Sequence, residues 1–337
     1  MKAVGYRASH PIEHAEALLD LTLDKPVAAG RDLLVKVEAV SVNPVDTKMR
    51  LRSQPEPGGV KVLGWDAAGT VEAVGADATL FKPGDSVFYA GAIGRSGTNA
   101  EYHLVDERIV GRGPASLSVA EAAALPLTAI TAWEALFDRL DIRRAVPGAA
   151  NALLIIGGAG GVGSIAIQLA KQLSDVTVIA TASRPETVSW VRALGADHVV
   201  DHTKPLAAQV AGLGIGAPAS VFSTTQTDRH FDEIVELIAP QGRFGLIDDP
   251  APIDVMKLKR KSVSLHWELM FTRSLFGTPD MIAQHELLNE VSAMVDAGRL
   301  RTTLGEHFGR IDAANLRRAH ALLESGKARG KIVLEGF

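Results

Sequence analysis

Gly158, Gly160 and Gly163 are spaced Gly-x-Gly-x-x-Gly, with Gly161 and Val162 between the last two. An apolar run at 153–156 precedes them and a helical apolar pattern at 164–173 follows. A strand, a glycine turn and a helix in that order form the binding element for a dinucleotide pyrophosphate. The glycines take torsion angles that side chains resist and let phosphates approach bare backbone. The unpaired N–H groups and the dipole at the helix start then favour the anion. No Gly-Lys-Ser/Thr follows, so this is not the phosphate loop of nucleotide triphosphatases. A chain that holds a nicotinamide dinucleotide is expected to move hydride.

The position about 20 residues further on tells the two nicotinamide cofactors apart. An Asp or Glu there would serve NAD; this chain has Thr181-Ala182-Ser183-Arg184. Ser183 can bond a 2′-phosphate and Arg184 can pair with it, which points to NADP(H). One hydrogen bond to a charged group contributes about 1.5–3 kcal/mol, roughly 10- to 150-fold in affinity.

The elements that must position these residues fall into two regions. The first hundred or so residues read as short strands with Pro/Gly turns: 33–42, 69–75, 86–89 and 100–105, a β-rich compact domain. Ser118 followed by Glu121 is a capping box, with a helix expected at 128–140. From Asn151 strands alternate with helices, which implies a parallel sheet covered on both faces. A strand at 263–269, helices at 281–297 and 313–324 and a last strand at 331–334 close the chain, with Gly326 ending the final helix.

Composition narrows the classes. The chain has 337 residues, 47% hydrophobic and 22% charged, with a net charge of −4, so no basic field calls for nucleic acid. It has no cysteine, which excludes disulfides, cysteine nucleophiles and thiolate zinc sites and fits a reducing cytoplasm. Charges and Pro11 interrupt the N-terminus, so no signal peptide is expected. Residues 152–170 form an uncharged stretch, but five glycines, Ser164 and Gln168 argue against a membrane span. No Gly-x-Ser-x-Gly elbow is present. His198 and His202 are four apart, a spacing that would align them on a helix face, but their segment reads as a strand; His10 and His14 have the same spacing near the N-terminus, and neither pair is expected to bind metal.

Several motifs occur in one order: Ser41-Val42-Asn43-Pro44-Val45-Asp46, Gly64-Trp65-Asp66-Ala67-Ala68-Gly69, Phe81-Lys82-Pro83-Gly84-Asp85, Leu125-Pro126-Leu127-Thr128-Ala129 and Gly330-Lys331-Ile332-Val333-Leu334. With the glycine turn they resemble the medium-chain dehydrogenase/reductase superfamily, and within it the quinone oxidoreductase branch. The resemblance implies an α/β chain with a GroES-like catalytic domain (1–126 and 271–337) and an inserted Rossmann domain (127–270) that binds NADP(H). It further implies an active site in the cleft between them and a homodimer. Asn43 is then the first candidate donor to a substrate oxygen. Lys48, where relatives often carry a tyrosine, is a candidate cation for an enolate, and Thr128 is a nicotinamide-side contact. Phe244, Gly245 and Leu246 are expected to approach the nicotinamide by backbone, and Phe271 to close the cleft.

One departure from the family bears on mechanism. Zinc-dependent relatives carry a Cys near Asn43 and a His-Glu pair at Trp65-Asp66; this chain has neither, so no zinc is expected. Without a Lewis acid, quinones and α,β-unsaturated carbonyls are the expected acceptors, because they delocalise the added charge themselves. The competing readings are an alcohol or aldehyde dehydrogenase with a borrowed metal, and a nucleotide-binding sensor or structural protein with little turnover. The glycine turn reports binding rather than chemistry and does not separate them.

Overall fold

The computed structural model describes residues 1–337, which form two compact units, Met1–Ile130 with Phe271–Phe337 and Thr131–Met270. The division falls four residues after the expected border, inside a continuous helix.

The first unit opens with β1 (Lys2–Tyr6), β2 (Leu19–Thr22), β3 (Asp32–Val42) and, after helix α1 (Pro44–Arg52), β4 (Lys61–Val62). Strands β5 (Ala67–Val74), β6 (Ser86–Tyr89), β7 (Tyr102–Asp106) and β8 (Val110–Arg112) follow, then α2 (Val119–Ala123) and α3 (Pro126–Trp133). The four strands expected in this region are present, 86–89 with the expected bounds and the other three with shifted ends. Strands β1, β2 and β4 make a small sheet of their own. The Ser118 capping box forms as expected: Glu121 N–H donates to Ser118 Oγ at 3.3 Å and Ser118 N–H to Glu121 Oε2 at 2.9 Å. Helix α3 does not run on to residue 140 as an α-helix; it passes into a π turn, Glu134–Arg139.

The second unit carries β9 (Ala150–Ile156), α4 (Gly161–Leu173), β10 (Thr177–Thr181), α5 (Pro185–Ala193) and β11 (His198–Val200). It continues with α6 (Leu206–Gly212), β12 (Pro218–Ser223), α7 (Thr227–Leu237), β13 (Arg243–Leu246) and β14 (Ser264–Trp267). These strands form one parallel sheet in the order β11-β10-β9-β12-β13-β14. The order reverses between β9 and β12, the switch point at which such sheets bind nucleotides outside the strands' carboxyl ends. Leu154, Ile156, Ile179, Val221, Phe244 and Leu246 pack beneath α6 and α7 as its core. Residues 152–170 are thus a buried strand, a turn and a helix rather than a span.

The chain then returns to the first unit with α8 (Thr272–Phe276), α9 (Ala283–Asp296), β15 (Leu304–His307), α10 (Ala313–Glu324) and β16 (Lys331–Glu335). Strand β16 lies antiparallel to β3, Ile332 opposite Val42, in a seven-stranded sheet. Gly326 takes a φ of 68° just past α10, where only glycine is unstrained. One helical stretch, Val119–Arg139, is long and apolar enough to cross a membrane, but 83% of its window is buried, as in a core helix.

Candidate functional site

In the second unit the glycine turn leaves β9 through Gly157, whose φ is 81° and whose N–H donates to Thr181 Oγ1 at 3.0 Å. A Cβ on Gly163 would lie 2.3 Å from Gly157 O and 2.7 Å from Gly158 Cα, so α4 packs against the turn only because residue 163 has no side chain. A Cβ on Gly158 would meet Ala180 Cβ at 2.9 Å on the neighbouring strand. Gly160 is the N-cap of α4 and no side chain caps that end. The first-turn N–H groups of Gly161, Val162 and Gly163 therefore have no capping acceptor, and the half-buried Gly160, Gly161 and Val162 keep the approach open. This cradle fits a dinucleotide pyrophosphate.

At the end of β10 the backbone turns into α5 through Ser183 and Arg184, with Pro185 as the first helical residue. Ser183 Oγ lies 3.3 Å from His202 Nε2, which comes from the end of β11. Burial first, then the cations Arg229 and Arg184, hold the His202 imidazole below its ordinary pKa, against the opposing pull of Asp201. Arg184 Nε pairs with Glu186 at 3.1 Å and stays partly exposed. Ser183 and His202 thus meet at the end of β10, with the charges of Arg184 and Arg229 acting on the imidazole. Reading the sequence linearly misses His202 and Arg229. The signal for His202 is its place just after β11, the strand paired with β10.

Phe244, Gly245 and Leu246 sit inside β13, with β12 and β14 bonded on either side. The Phe244 and Leu246 side chains are in the core, and Leu246 O already accepts Glu268 N–H at 3.1 Å. Backbone approach from these three is therefore closed along the ladder. The residues that emerge at the carboxyl edge are Ile247 and Asp248. Asp248 Oδ2 accepts the Thr227 N–H at 2.9 Å, fixing the start of α7.

The first unit places Asn43, Trp65, Asp66 and Lys331 together. Asp66 is fully buried, and its Oδ2 accepts from Ser41 Oγ at 2.9 Å, Asn43 Nδ2 at 2.8 Å and Lys331 Nζ at 2.9 Å. Its Oδ1 accepts the Leu127 N–H at 2.8 Å. Lys331, 3% exposed, also donates to Val42 O at 2.9 Å and to Asn43 Oδ1. Asn43 further caps α1 in a reciprocal box with Asp46, whose Oδ2 takes the Asn43 N–H at 2.6 Å. Both ends of the Asn43 amide are thus engaged inside the protein at 1% exposure, which makes Asn43 a capping and bridging residue here rather than an open donor. Asp46 Oδ1 is buried without a partner, and burial pushes the Asp46 carboxyl up to about 7. Thr128 is likewise internal, its hydroxyl donating to Leu125 O at 3.0 Å. Lys48 is half-buried on α1. Phe271 is 2% exposed and meets Trp65 edge-on at 6.2 Å, which makes it a core residue of the first unit.

An ammonium bonded to an amide oxygen and a carboxylate is not a zinc ligand set. Zinc needs three or four nitrogen, sulfur or carboxylate ligands converging on it, and here the carboxylate is fully used by other donors. His10 and His14 come together with Glu16, all three offering ligand atoms within 4.8 Å. Their rings, however, stack at 3.9 Å and 12°, so the ring lone pairs run side by side rather than converging.

Comparison with known proteins decides the family. Residues 29–127 match the alcohol dehydrogenase GroES-like domain and residues 194–334 the zinc-binding dehydrogenase domain. A zinc-type alcohol dehydrogenase-like protein of Staphylococcus aureus is 42% identical over 99% of both chains. The chain belongs to the medium-chain dehydrogenase/reductase superfamily. It is an oxidoreductase of that superfamily, built from a GroES-like domain and a Rossmann domain. A putative zinc-dependent alcohol dehydrogenase of Rhizobium etli is 67% identical, with a TM-score of 0.99 over 100% of this chain and 98% of that one. A quinone oxidoreductase of Coxiella burnetii is 27% identical, with a TM-score of 0.79 over 100% and 99%. A mycobacterial protein complexed with NADPH is also 27% identical, with a TM-score of 0.83 over 99% of each chain.

Proposed function

We propose that this oxidoreductase is a zinc-independent, NADPH-dependent reductase of quinones or α,β-unsaturated carbonyls. The observation that carries the reading is Lys331. Its ammonium is bonded to Asn43 and Asp66, two of the positions where the family resemblance would put metal ligands in zinc-dependent members, and so satisfies both side chains without a metal. Bound NADPH supplies the hydride. The Gly158–Gly163 turn holds the pyrophosphate, and Ser183, Arg184 and His202 select the 2′-phosphate. With no Lewis acid, the acceptor has to spread the incoming charge over a conjugated system, as quinones and enones do. Asn43 and Thr128 position their turn and helix, and the Lys48 ammonium is the group assigned to the oxyanion that develops on the acceptor. The chain is further read as a cytoplasmic homodimer with no nucleic-acid or membrane partner. In support of the dimer, β14 is an edge strand with Trp267 54% exposed, a template for a second copy.

The test is NADPH oxidation by chelator-treated protein with ortho- and para-quinones and simple enones. Turnover should survive chelation, and Lys48→Met should lower kcat while leaving NADPH affinity unchanged. Activity that disappears on chelation and returns with zinc and an alcohol would overturn the reading in favour of an alcohol dehydrogenase. Tight NADPH binding with no acceptor turned over would overturn it in favour of a sensor.

A further inference from the structure

The second unit contains a pair of buried acids that the proposed reaction does not use. Glu134, 1% exposed, opens the π turn after α3; Glu268, 4% exposed, follows directly on β14. The π turn packs on β13 and β14 and brings the two carboxyls into contact. Glu268 Oε2 accepts from Arg139 Nε at 2.9 Å, whereas Glu268 Oε1 is buried with no N–H donor. Two carboxyls that touch in a buried site hold a proton between them, because both cannot ionise cheaply. Burial, with the Glu134 carboxylate second, pushes the Glu268 carboxyl well above the usual carboxylate range, and Arg139 opposes this. The other charged groups on the packed elements are Asp138 on the π turn, Arg243 on β13 and His266 on β14. Arg243 Nη1 donates to the carbonyls of Leu140, Asp141 and Arg144. Burial first, then Arg243, Arg139 and Arg144, keep the His266 imidazole below its ordinary pKa.

The place of this pair in the sheet gives it a use. The Glu268 N–H bonds to Leu246 O at the carboxyl end of β13. Ligands of open parallel sheets lie outside the carboxyl ends of the strands, one mononucleotide on each side of the switch point. With the 2′-phosphate assigned to the end of β10, the nicotinamide half falls over β12, β13 and β14. The reduced ring is neutral and the oxidised ring carries a positive charge.

We propose that the Glu134–Glu268 pair ties a proton to the redox state of the bound cofactor: the pair keeps its proton beside the reduced ring and releases it to solvent beside the oxidised one. This rests on the NADPH reading above. The proton balance closes through solvent: the acceptor takes one hydride from NADPH and one proton from water, the pair returns one proton to water as NADP⁺ is left behind, and it takes one back when NADPH replaces NADP⁺. The two forms of the cofactor should then differ in their linkage to pH.

The experiment is isothermal titration of the full chain with NADP⁺ and with NADPH near neutral pH, in two buffers of different ionisation enthalpy. NADP⁺ should release more protons than NADPH, and its affinity relative to that of NADPH should rise with pH by up to about tenfold per unit if one full proton leaves. Proton uptake by His202 at the 2′-phosphate is common to both cofactors and cancels in the difference. Glu268→Gln should abolish the difference while both cofactors still bind; Glu134→Gln serves the same purpose if the first variant does not fold. Equal proton counts in the unmodified protein, or a difference that persists in the folded variant, would overturn this proposal and leave the cofactor assignment standing. Failure to bind either nucleotide would overturn both.

Discussion

Lys331 and Asp66 form a fully enclosed ion pair, and removing either partner strands a charge. In Lys331→Met the Asp66 carboxylate stays buried but keeps three donors: the Ser41 hydroxyl, the Asn43 amide and the Leu127 N–H. In Asp66→Asn the ammonium keeps only the neutral acceptors Val42 O and Asn43 Oδ1. Breaking a buried pair from one side costs about 3–5 kcal/mol, so the first variant belongs near the lower figure and the second near the upper. In Asp66→Asn with Lys331→Met no buried charge remains, and the loss reduces to hydrogen bonds at about 1 kcal/mol each. The double variant should therefore be more stable than the sum of the singles by at least about 2 kcal/mol. Urea unfolding followed by circular dichroism measures this. At a slope of about 3 kcal/mol per molar, Lys331→Met should lower the midpoint by roughly 1 M. A shift below about 0.3 M at that slope, or strict additivity in the double variant, would refute the claim that this ion pair holds the site together.

Two further outcomes concern Arg184 and His202. Arg184→Ala should weaken NADPH about 10- to 150-fold and NADH little. NADPH should also bind more tightly as pH falls from about 8 to 6.5, because a 2′-phosphate favours the protonated form of an imidazole now held below its ordinary pKa. Fluorescence titration of the unmodified protein and of His202→Phe checks this; an equal slope in both would rule out His202. Asp46→Asn concerns stability. Burial raises the folded Asp46 carboxyl to about 7, so its proton favours the folded state at low pH and that contribution is lost as pH rises from about 4 to 7. The amide keeps an acceptor for the Asn43 N–H and removes the charge. The variant should exceed the unmodified protein by on the order of 1 kcal/mol at pH 8 and lose that advantage near pH 4. A gap in urea midpoint that does not change with pH would contradict the assignment.

The parts legible in the sequence are those whose physics is local. The glycine turn, the Ser118–Glu121 box and the Gly326 helix end are each fixed by residues within one or two turns of each other, and each forms as read. Helix α1 was not read from the sequence, because its polar residues lack the apolar period that flags helices. The π turn was not legible, because Glu134–Arg139 continues the pattern of α3. Its departure from the α-helix accompanies packing of the turn on β13 and β14.

The sequence by itself determined the β-rich first region, the alternation of strands and helices after Asn151, the glycine turn, the absence of cysteine and the choice of Ser183-Arg184 over an acid. Tertiary structure decided which side chains are spent. Asn43 reads as an open donor until Asp66, 23 residues on, and Lys331, 288 residues on, are folded against it. Phe244 reads as a backbone contact until β12 and β14 are found bonded on both sides of its strand, and Phe271 reads as a cleft-closing residue until it is found packed edge-on against Trp65. His202 joins Ser183 only because β10 and β11 lie side by side, and Glu134 meets Glu268 only because the turn after α3 lies on the sheet. A hydrogen-bond donor has a fixed number of protons, and only the folded neighbourhood decides which acceptors take them.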